Sequence, residues 1–265
     1  QKINMKCRFA PSPTGLLHVG NLRSAVLNWV YAKKNDGSFV LRIDDTDLTR
    51  STKEYENKIK ENLSWLGIKW NKTFNQSDRA NLYKSKINKL KNDGRLYPCF
   101  ETKEELSLKK KSLLSSGKPP IYDRSSLFLN KDEINEKLKS GINCHWRFKL
   151  NKDLIGWDDL IKGKVNFDPN NLSDPVLIRE DGSLLYHLPS VVDDIEKGIT
   201  HIIRGEDHIS NTAFHIQIFQ ALDAHAPVFA HHPFLTDQDG KSFGKRIGSL
   251  SIENLKEEGY EDISI

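Results

Sequence analysis

The stretch from Arg8 to Asn21, reading Arg-Phe-Ala-Pro-Ser-Pro-Thr-Gly-Leu-Leu-His-Val-Gly-Asn, constrains the fold more than any other part of the chain. An extended segment breaks there into a loop of prolines and glycine and then opens a helix. Upstream, Asn4 to Ala10 is short and mixed apolar, as a strand can be; downstream, Leu22, Ala25, Val26, Trp29 and Val30 recur at the spacing of one helix face. The loop is therefore predicted at a helix N-terminus. Unpaired backbone N–H groups and the positive end of the helix dipole favour a phosphate chain at such a point. Gly20 lets another group approach the backbone without a Cβ in the way, and His18 can donate to a phosphoryl oxygen. A histidine beside a turn also serves as a local helix cap, so the pattern alone leaves both roles open.

The alternation continues with a strand at Ser38 to Ile43 and two further helices. Ser51 with Glu54 suggests a capping box ahead of Tyr55, Ile59, Leu63 and Leu66 on one face. Leu82, Ile87 and Leu90 carry the next helical pattern until Asn92-Asp93-Gly94 stops it. Such alternation predicts a parallel sheet with helical crossovers. Residues 96–174 are more polar and less regular, and they read as an inserted domain. Within it, Thr102 and Glu105 mark a helix start, Gly117 to Pro120 ends that helix, and Trp146 to Leu150 alternates like a half-buried strand. After Pro175, strands are expected at Val176 to Arg179, Leu184 to Leu188 and Ile199 to Ile203, with a helix from Asn211 to Ala224. The expected division is 1–95 and 175–236 as two halves of one nucleotide-binding fold, 96–174 as the insertion, and 237–265 as a basic loop opening a further region.

Forty basic against 36 acidic residues give a formal charge of +4, which permits a nucleic-acid partner without requiring one. Lys109 to Lys111 reads as a solvated helix face. No run of eighteen apolar residues predicts a membrane helix, and the N-terminus lacks the order of a secretory signal, so a cytoplasmic protein is expected. Cys7, Cys99 and Cys144 are too few and too scattered for a disulfide framework, in keeping with a reducing compartment.

Pro13-Thr14-Gly15-Leu16-Leu17-His18-Val19-Gly20-Asn21-Leu22 resembles the "HIGH" signature of class I aminoacyl-tRNA synthetases, and the longer string from Arg8 resembles the glutamyl branch of that family. Leu41 to Asp47, Leu185 to Asp194 and Ile203 to His208 resemble its further blocks. Asp239 to Gly248 is similar to its second signature, with Ser242 where a first lysine is expected, Gly244 where a serine is expected, and Lys245 and Arg246 matching. The resemblance implies a class I Rossmann-like parallel sheet with an inserted domain that meets the acceptor end of tRNA. It implies ATP-dependent ligation of glutamate to tRNA(Glu) through a glutamyl adenylate, with Mg²⁺ accompanying ATP.

By the same resemblance, His18, Gly20 and Lys245 are catalytic, and His18, Gly20, Asp207, Lys245 and Arg246 bind ATP. Arg8, Ser12, Asp44, Tyr186 and Arg204 line the glutamate pocket, where guanidinium groups suit two carboxylates and an acid suits the ammonium. Arg8 and Arg42 have a structural alternative, as ion pairs with Asp44 or Asp47, and Tyr186 has one as a core aromatic. Lys241 is a candidate to replace the missing first lysine. Some relatives carry a zinc site in the insertion; here Cys99-Phe100-Glu101 and Tyr122 to Ser126 offer one cysteine, and Cys144-His145 stands alone, so no structural zinc or other protein-held metal is expected. Two other functions stay open at this point: a stand-alone glutamyl-queuosine tRNA(Asp) synthetase, which lacks an anticodon domain, and a non-catalytic tRNA-binding paralogue.

Overall fold

The computed structural model describes residues 4–236 and 251–265. In chain order it contains β1 (Lys6–Phe9), α1 (Val19–Lys34), β2 (Ser38–Ile43), α2 (Lys53–Trp65), β3 (Lys72–Asn75), α3 (Ala80–Asn92) and β4 (Leu96–Cys99). Then come α4 (Lys103–Ser115), α5 (Lys131–Lys139), β5 (His145–Phe148), β6 (Ile155–Asp159), β7 (Gly163–Phe167) and β8 (Val176–Ile178). The remainder is α6 (His187–Glu196), β9 (His201–Gly205), α7 (Ile209–Ala221), β10 (Val228–His232) and α8 (Ile252–Glu257).

β1, β2 and β3 pair in parallel, and so do β9 and β10. The two groups meet at β1 and β9, where Thr200 N donates to Lys6 O at 2.9 Å and Lys6 N donates to Thr200 Oγ1 at 2.8 Å. The strand order across this layer is thus β3-β2-β1-β9-β10. Its direction reverses between β1 and β9, and in an open α/β sheet the crevice beyond the strand ends at such a reversal is the natural ligand site. Side chains alternate across the layer: Phe39, Leu41 and Ile43 join the core under α1 and α2, while Val40 joins the core under α3, α6 and α7. Each fully buried Leu or Ile there contributes roughly 1.5–3 kcal/mol.

Several local expectations differ from the structure for physical reasons. On α1 the inward face carries Leu22, Ala25, Asn28 and Ala32, whereas Val26 and Val30 are exposed. Asn28 takes the inward place because its Nδ2 donates to Ile203 O and Ser24 O, both at 2.8 Å, tying α1 to β9. Thr52, not Ser51, caps α2, its hydroxyl accepting from Tyr55 N. β3 has only four residues and no apolar alternation, so the pattern did not announce it. Leu184 to Leu188 is not a strand: Leu184 makes one bridge to Ile178 and α6 starts at His187, with Pro189 in its first turn where a missing N–H costs little. A short apolar run carries no period to separate the two cases. β8 leaves the parallel layer and pairs antiparallel with β5, which pairs antiparallel with β4.

β6 and β7 form a hairpin that reaches the parallel layer, where Leu160 N donates to Phe229 O at 3.0 Å. α4 begins with the expected Thr102/Glu105 capping box. Near it, the Glu101 carboxylate accepts from Tyr122 at 2.9 Å, from Ser126 at 2.8 Å and from Ser125, while Cys99 Sγ lies 3.6 Å from Tyr122 Oη. These bonds hold Glu101 ionised: despite the opposing effect of burial, its carboxyl is pulled down to about 2.

Candidate active site

At the reversal between β1 and β9 lies a cleft of about 930 Å³. β1 delivers Arg8, the following loop Ser12 and His18, and the start of α1 Gly20. The end of β2 adds Asp44, the residue ahead of α6 adds Tyr186, and the end of β9 adds Arg204 and Asp207. Asp44 N donates to Pro11 O at 2.9 Å and Thr52 N to Pro13 O at 3.0 Å, so the two loops above β1 and β2 are strapped together.

His18 is the N-cap of α1. Its Nδ1 accepts from Asn21 N at 3.3 Å, and Asn21 Oδ1 accepts from His18 N at 3.3 Å. Burial lowers its pKa, so the ring is neutral at pH 7. With Nδ1 committed as an acceptor, the proton of the neutral ring sits on Nε2, which is left as a donor. The cap and the phosphate donor anticipated as alternatives are therefore compatible on one ring. A Cβ on Gly20 would stand 3.1 Å from His18 Nδ1 and 3.2 Å from Cε1, so glycine allows the ring to lie over the helix start. Gly205 plays a similar part, since a Cβ there would collide with Asp207 Oδ1.

The charges below the loop are arranged in one network. Arg8 holds Asp194 through Nε at 3.0 Å and Nη2 at 3.1 Å. Arg42 holds Asp44 through Nε at 2.6 Å and Nη2 at 3.1 Å, and reaches Asp194 with Nη1 at 3.1 Å. Ser190 accepts from Arg42 through Oγ at 3.0 Å and through its carbonyl at 3.3 Å. Burial alone would lower the Arg42 pKa, but Asp44 and Asp194 outweigh it and raise it. Asp44 is thus paired with Arg42, Arg8 with Asp194, and Asp47 with Arg50 on the surface.

Arg204 is different. It is 7% exposed and has no carboxylate partner among the described residues. Its Nη2 donates to Thr212 Oγ1 at 2.7 Å and lies 3.4 Å from His215 Nδ1, while its buried Nε has no partner. Burial pushes its pKa down to about 10, which still leaves it charged at pH 7. Arg8, Arg42 and Arg204 thus share Asp44 and Asp194, and the buried guanidinium left without a carboxylate is Arg204; the less buried Arg23, also lining the cleft, donates to Pro233 O at 2.6 Å. Tyr186 Oη lies 3.3 Å from His208 Nδ1, and its ring packs on His187 with centroids 4.3 Å apart. Lys241, Ser242, Gly244, Lys245 and Arg246 lie outside the described residues.

The family model for the catalytic domain of class I tRNA synthetases (E and Q) matches residues 4–265. The chain belongs to this family. Among curated members it is 52% identical over 98% of its length to a glutamate–tRNA ligase of Maricaulis maris and 53% identical over 97% to one of Rickettsia prowazekii. A crystal structure of a glutamate–tRNA ligase from Elizabethkingia meningosepticum, in complex with its amino acid, matches 97% of the chain with a TM-score of 0.83 at 32% identity. The chain spans 59%, 58% and 53% of those three proteins respectively. The class I synthetase fold anticipated from the sequence is thus the fold of the chain.

Of the expected site residues, the cleft gathers Arg8, Ser12, His18, Gly20, Asp44, Tyr186, Arg204 and Asp207. Sequence reasoning missed Thr212, His215, His231 and Asp159 around Arg204. Thr212 and His215 lie at a three-residue spacing on α7, a signal that a helix-face reading could have used. Asp159, on a distant hairpin, carries none.

Proposed function

We propose that this synthetase-family chain is the catalytic part of a glutamate–tRNA ligase that forms glutamyl adenylate from glutamate and ATP and passes the glutamyl group to tRNA(Glu). The observation that carries the reading is Arg204, a buried guanidinium that lines the cleft without a carboxylate partner among the described residues, whereas Arg8 and Arg42 are already paired. Glutamate carries two carboxylates and one ammonium, a net charge opposite to that of this buried cation. Glutamine, with no net charge, leaves the guanidinium without its counter-ion. Arg8, Ser12, Asp44 and Tyr186 complete the amino-acid side of the cleft, with the ammonium on the side of Asp44.

The chemistry asked of the other side is mainly positioning and charge stabilisation. The substrate carboxylate attacks the α-phosphorus of ATP and pyrophosphate leaves, so negative charge grows on phosphoryl oxygens. His18 Nε2–H and the N–H groups opening α1 donate to those oxygens, with the helix dipole adding to them. Asp207, near the mouth, takes the nucleoside side of ATP. Lys245 and Arg246 are assigned to the leaving pyrophosphate; in support, the chain lines the cleft at Leu235 and returns at Ile252, whose N donates to Leu17 O at 2.9 Å, next to His18. The polar groups of the cleft are guanidinium, imidazole and backbone N–H rather than clustered carboxylates, so Mg²⁺ is assigned to the substrate as MgATP, held by phosphate and water. Residues 96–174 are read as the inserted unit that meets the acceptor end of tRNA.

The test is pyrophosphate exchange and charging on purified tRNAs. Glutamate attached to tRNA(Glu) supports the ligase; glutamate attached only to tRNA(Asp) assigns the chain to glutamyl-queuosine synthesis instead. No glutamate-dependent exchange leaves the non-catalytic reading.

A further inference from the structure

The environment of Arg204 contains a second layer of ordered polar groups that the reaction scheme does not use. Thr212 Oγ1, which accepts from Arg204 Nη2, lies 2.8 Å from His231 Nε2. His231 Nδ1 is hydrogen-bonded to Asp159 Oδ2, and both side chains are fully buried. Asp159 also accepts from Trp157 Nε1 at 3.2 Å, from Ile161 N and Lys162 N at 3.0 Å, and from His231 N at 3.1 Å. These bonds hold it as a carboxylate with its pKa pulled down to about 2, against the opposing effect of burial. On the other flank, His215 Nδ1 faces Arg204 Nη2 and His215 Nε2 lies 3.0 Å from His187 Nδ1.

Donor and acceptor bookkeeping, with the distances, assigns a direction to each link. A carboxylate only accepts, so His231 Nδ1 carries the proton and, in the neutral ring, Nε2 is a lone pair. Thr212 offers Oγ1 to Arg204, and its single hydroxyl hydrogen has two acceptors in reach, His231 Nε2 at 2.8 Å and His208 O at 3.1 Å; with Nε2 a lone pair, the shorter contact takes it. Likewise Arg204 only donates, so His215 Nδ1 is a lone pair and Nε2–H donates to His187. The two hydrogens of Arg204 Nη2 are absorbed by neutral acceptors. The nearest carboxylate in this line, Asp159, is separated from the guanidinium by two neutral groups and so orients it without forming an ion pair with it.

We infer that Asp159, His231 and Thr212, with His215 on the opposite flank, are positioning residues for Arg204: they fix the guanidinium through neutral acceptors and so leave its charge uncompensated for a substrate carboxylate. This rests on the reading of Arg204 as a glutamate ligand. The β6–β7 hairpin has a part in that recognition, because it supplies Asp159. A direct acid at position 212 would orient Arg204 equally well but would neutralise it; a threonine backed by His231 orients without neutralising.

The experiment compares Thr212→Val, Thr212→Ser and Arg204→Met in glutamate-dependent pyrophosphate exchange with tRNA present. Loss of a hydrogen bond to a charged group predicts a rise in glutamate KM on the order of tenfold for Thr212→Val, with the ATP KM within about threefold of wild type. Thr212→Ser recovers most of that loss. A wild-type glutamate KM for Thr212→Val, when Arg204→Met raises it, overturns the positioning chain and leaves the function intact; a wild-type KM for Arg204→Met as well overturns both. Nitrogen NMR of the imidazoles in the unmodified chain at pH 7 gives a reading that needs no variant to fold. Neutral His231 protonated on Nδ1 and neutral His215 protonated on Nε2 are expected, and a His231 proton on Nε2 overturns the chain.

Discussion

Replacing Arg204 by methionine removes a buried guanidinium of the cleft that has no carboxylate of its own among the described residues, while keeping a side chain of similar length. The binding loss follows from the contact removed. A hydrogen bond to a charged group is worth about 1.5–3 kcal/mol, and at about 1.4 kcal/mol per decade this is a rise of about 10- to 150-fold in glutamate KM. The phosphate side of the cleft is untouched, so the ATP KM stays within about threefold. Stability moves the other way. A guanidinium whose pKa is held down to about 10 by burial is charged at pH 7 at a cost to the folded state, and a buried polar Nε without a partner adds to that cost. Methionine at this position therefore leaves Tm unchanged or raises it, with a gain on the order of 1 kcal/mol, or roughly 2–4 °C for a chain of this size. Steady-state exchange with both substrates varied and a calorimetric melt measure the two effects. A fall in Tm together with equal rises in both KM values would mean that Arg204 holds the fold and not the substrate, and would refute the argument.

Other substitutions separate roles that share a residue. His18→Asn keeps an N-cap oxygen but loses Nε2–H, so exchange falls about 100-fold or more at unchanged Tm, whereas His18→Ala also loses about 1 kcal/mol of capping; equal Tm values for the two would contradict the cap. Gly20→Ala pushes a Cβ against the His18 ring and lowers kcat, while Tm holds or rises because alanine suits a helix; a wild-type kcat would show the ring has room elsewhere. Lys245→Ala lowers kcat for exchange far more than Lys241→Ala, and equal losses would show that Lys241 has taken the place of the missing first lysine. His187 is buried and, chiefly by desolvation, its pKa is lowered from 6.5 to about 4. The unfolded chain therefore binds its proton first, and stability drops as pH falls from 6.5 to about 4, by at most roughly 1.4 kcal/mol per pH unit from this group. Calorimetry of His187→Gln across that window should show a shallower slope, and an identical slope would remove His187 from the acid sensitivity.

What could be read in the chain beforehand depended on how local the signal was. The loop from Arg8 to Asn21 places its own strand, cap and helix within a few residues, so its position at the cleft was legible. The same holds for the Thr102/Glu105 cap, where both bonding partners are three residues apart. The inward face of α1 was misjudged because Asn28 is buried for a partner on β9, far away in sequence. Leu184 to Leu188 was misassigned because five residues, mostly apolar, carry no period. The charge balance of the cleft was only half legible: ion pairs of Arg8 and Arg42 with Asp44 or Asp47 stood as an alternative, and Arg42 does take Asp44, but Arg8 takes Asp194 on α6, 186 positions away in sequence. The chain from Arg204 to Asp159 joins α7, β10 and the β6–β7 hairpin, and only the folded arrangement brings them together.

The central claim is that this cleft activates glutamate, and the measurement that tests it most directly is amino-acid-dependent pyrophosphate exchange with tRNA(Glu) present, run side by side with glutamate, glutamine and aspartate. Exchange with glutamate, with at least a tenfold lower kcat/KM for glutamine because it leaves Arg204 without a counter-ion, is the predicted result. Equal exchange with glutamine, or none with glutamate from a folded chain that binds ATP, would contradict it.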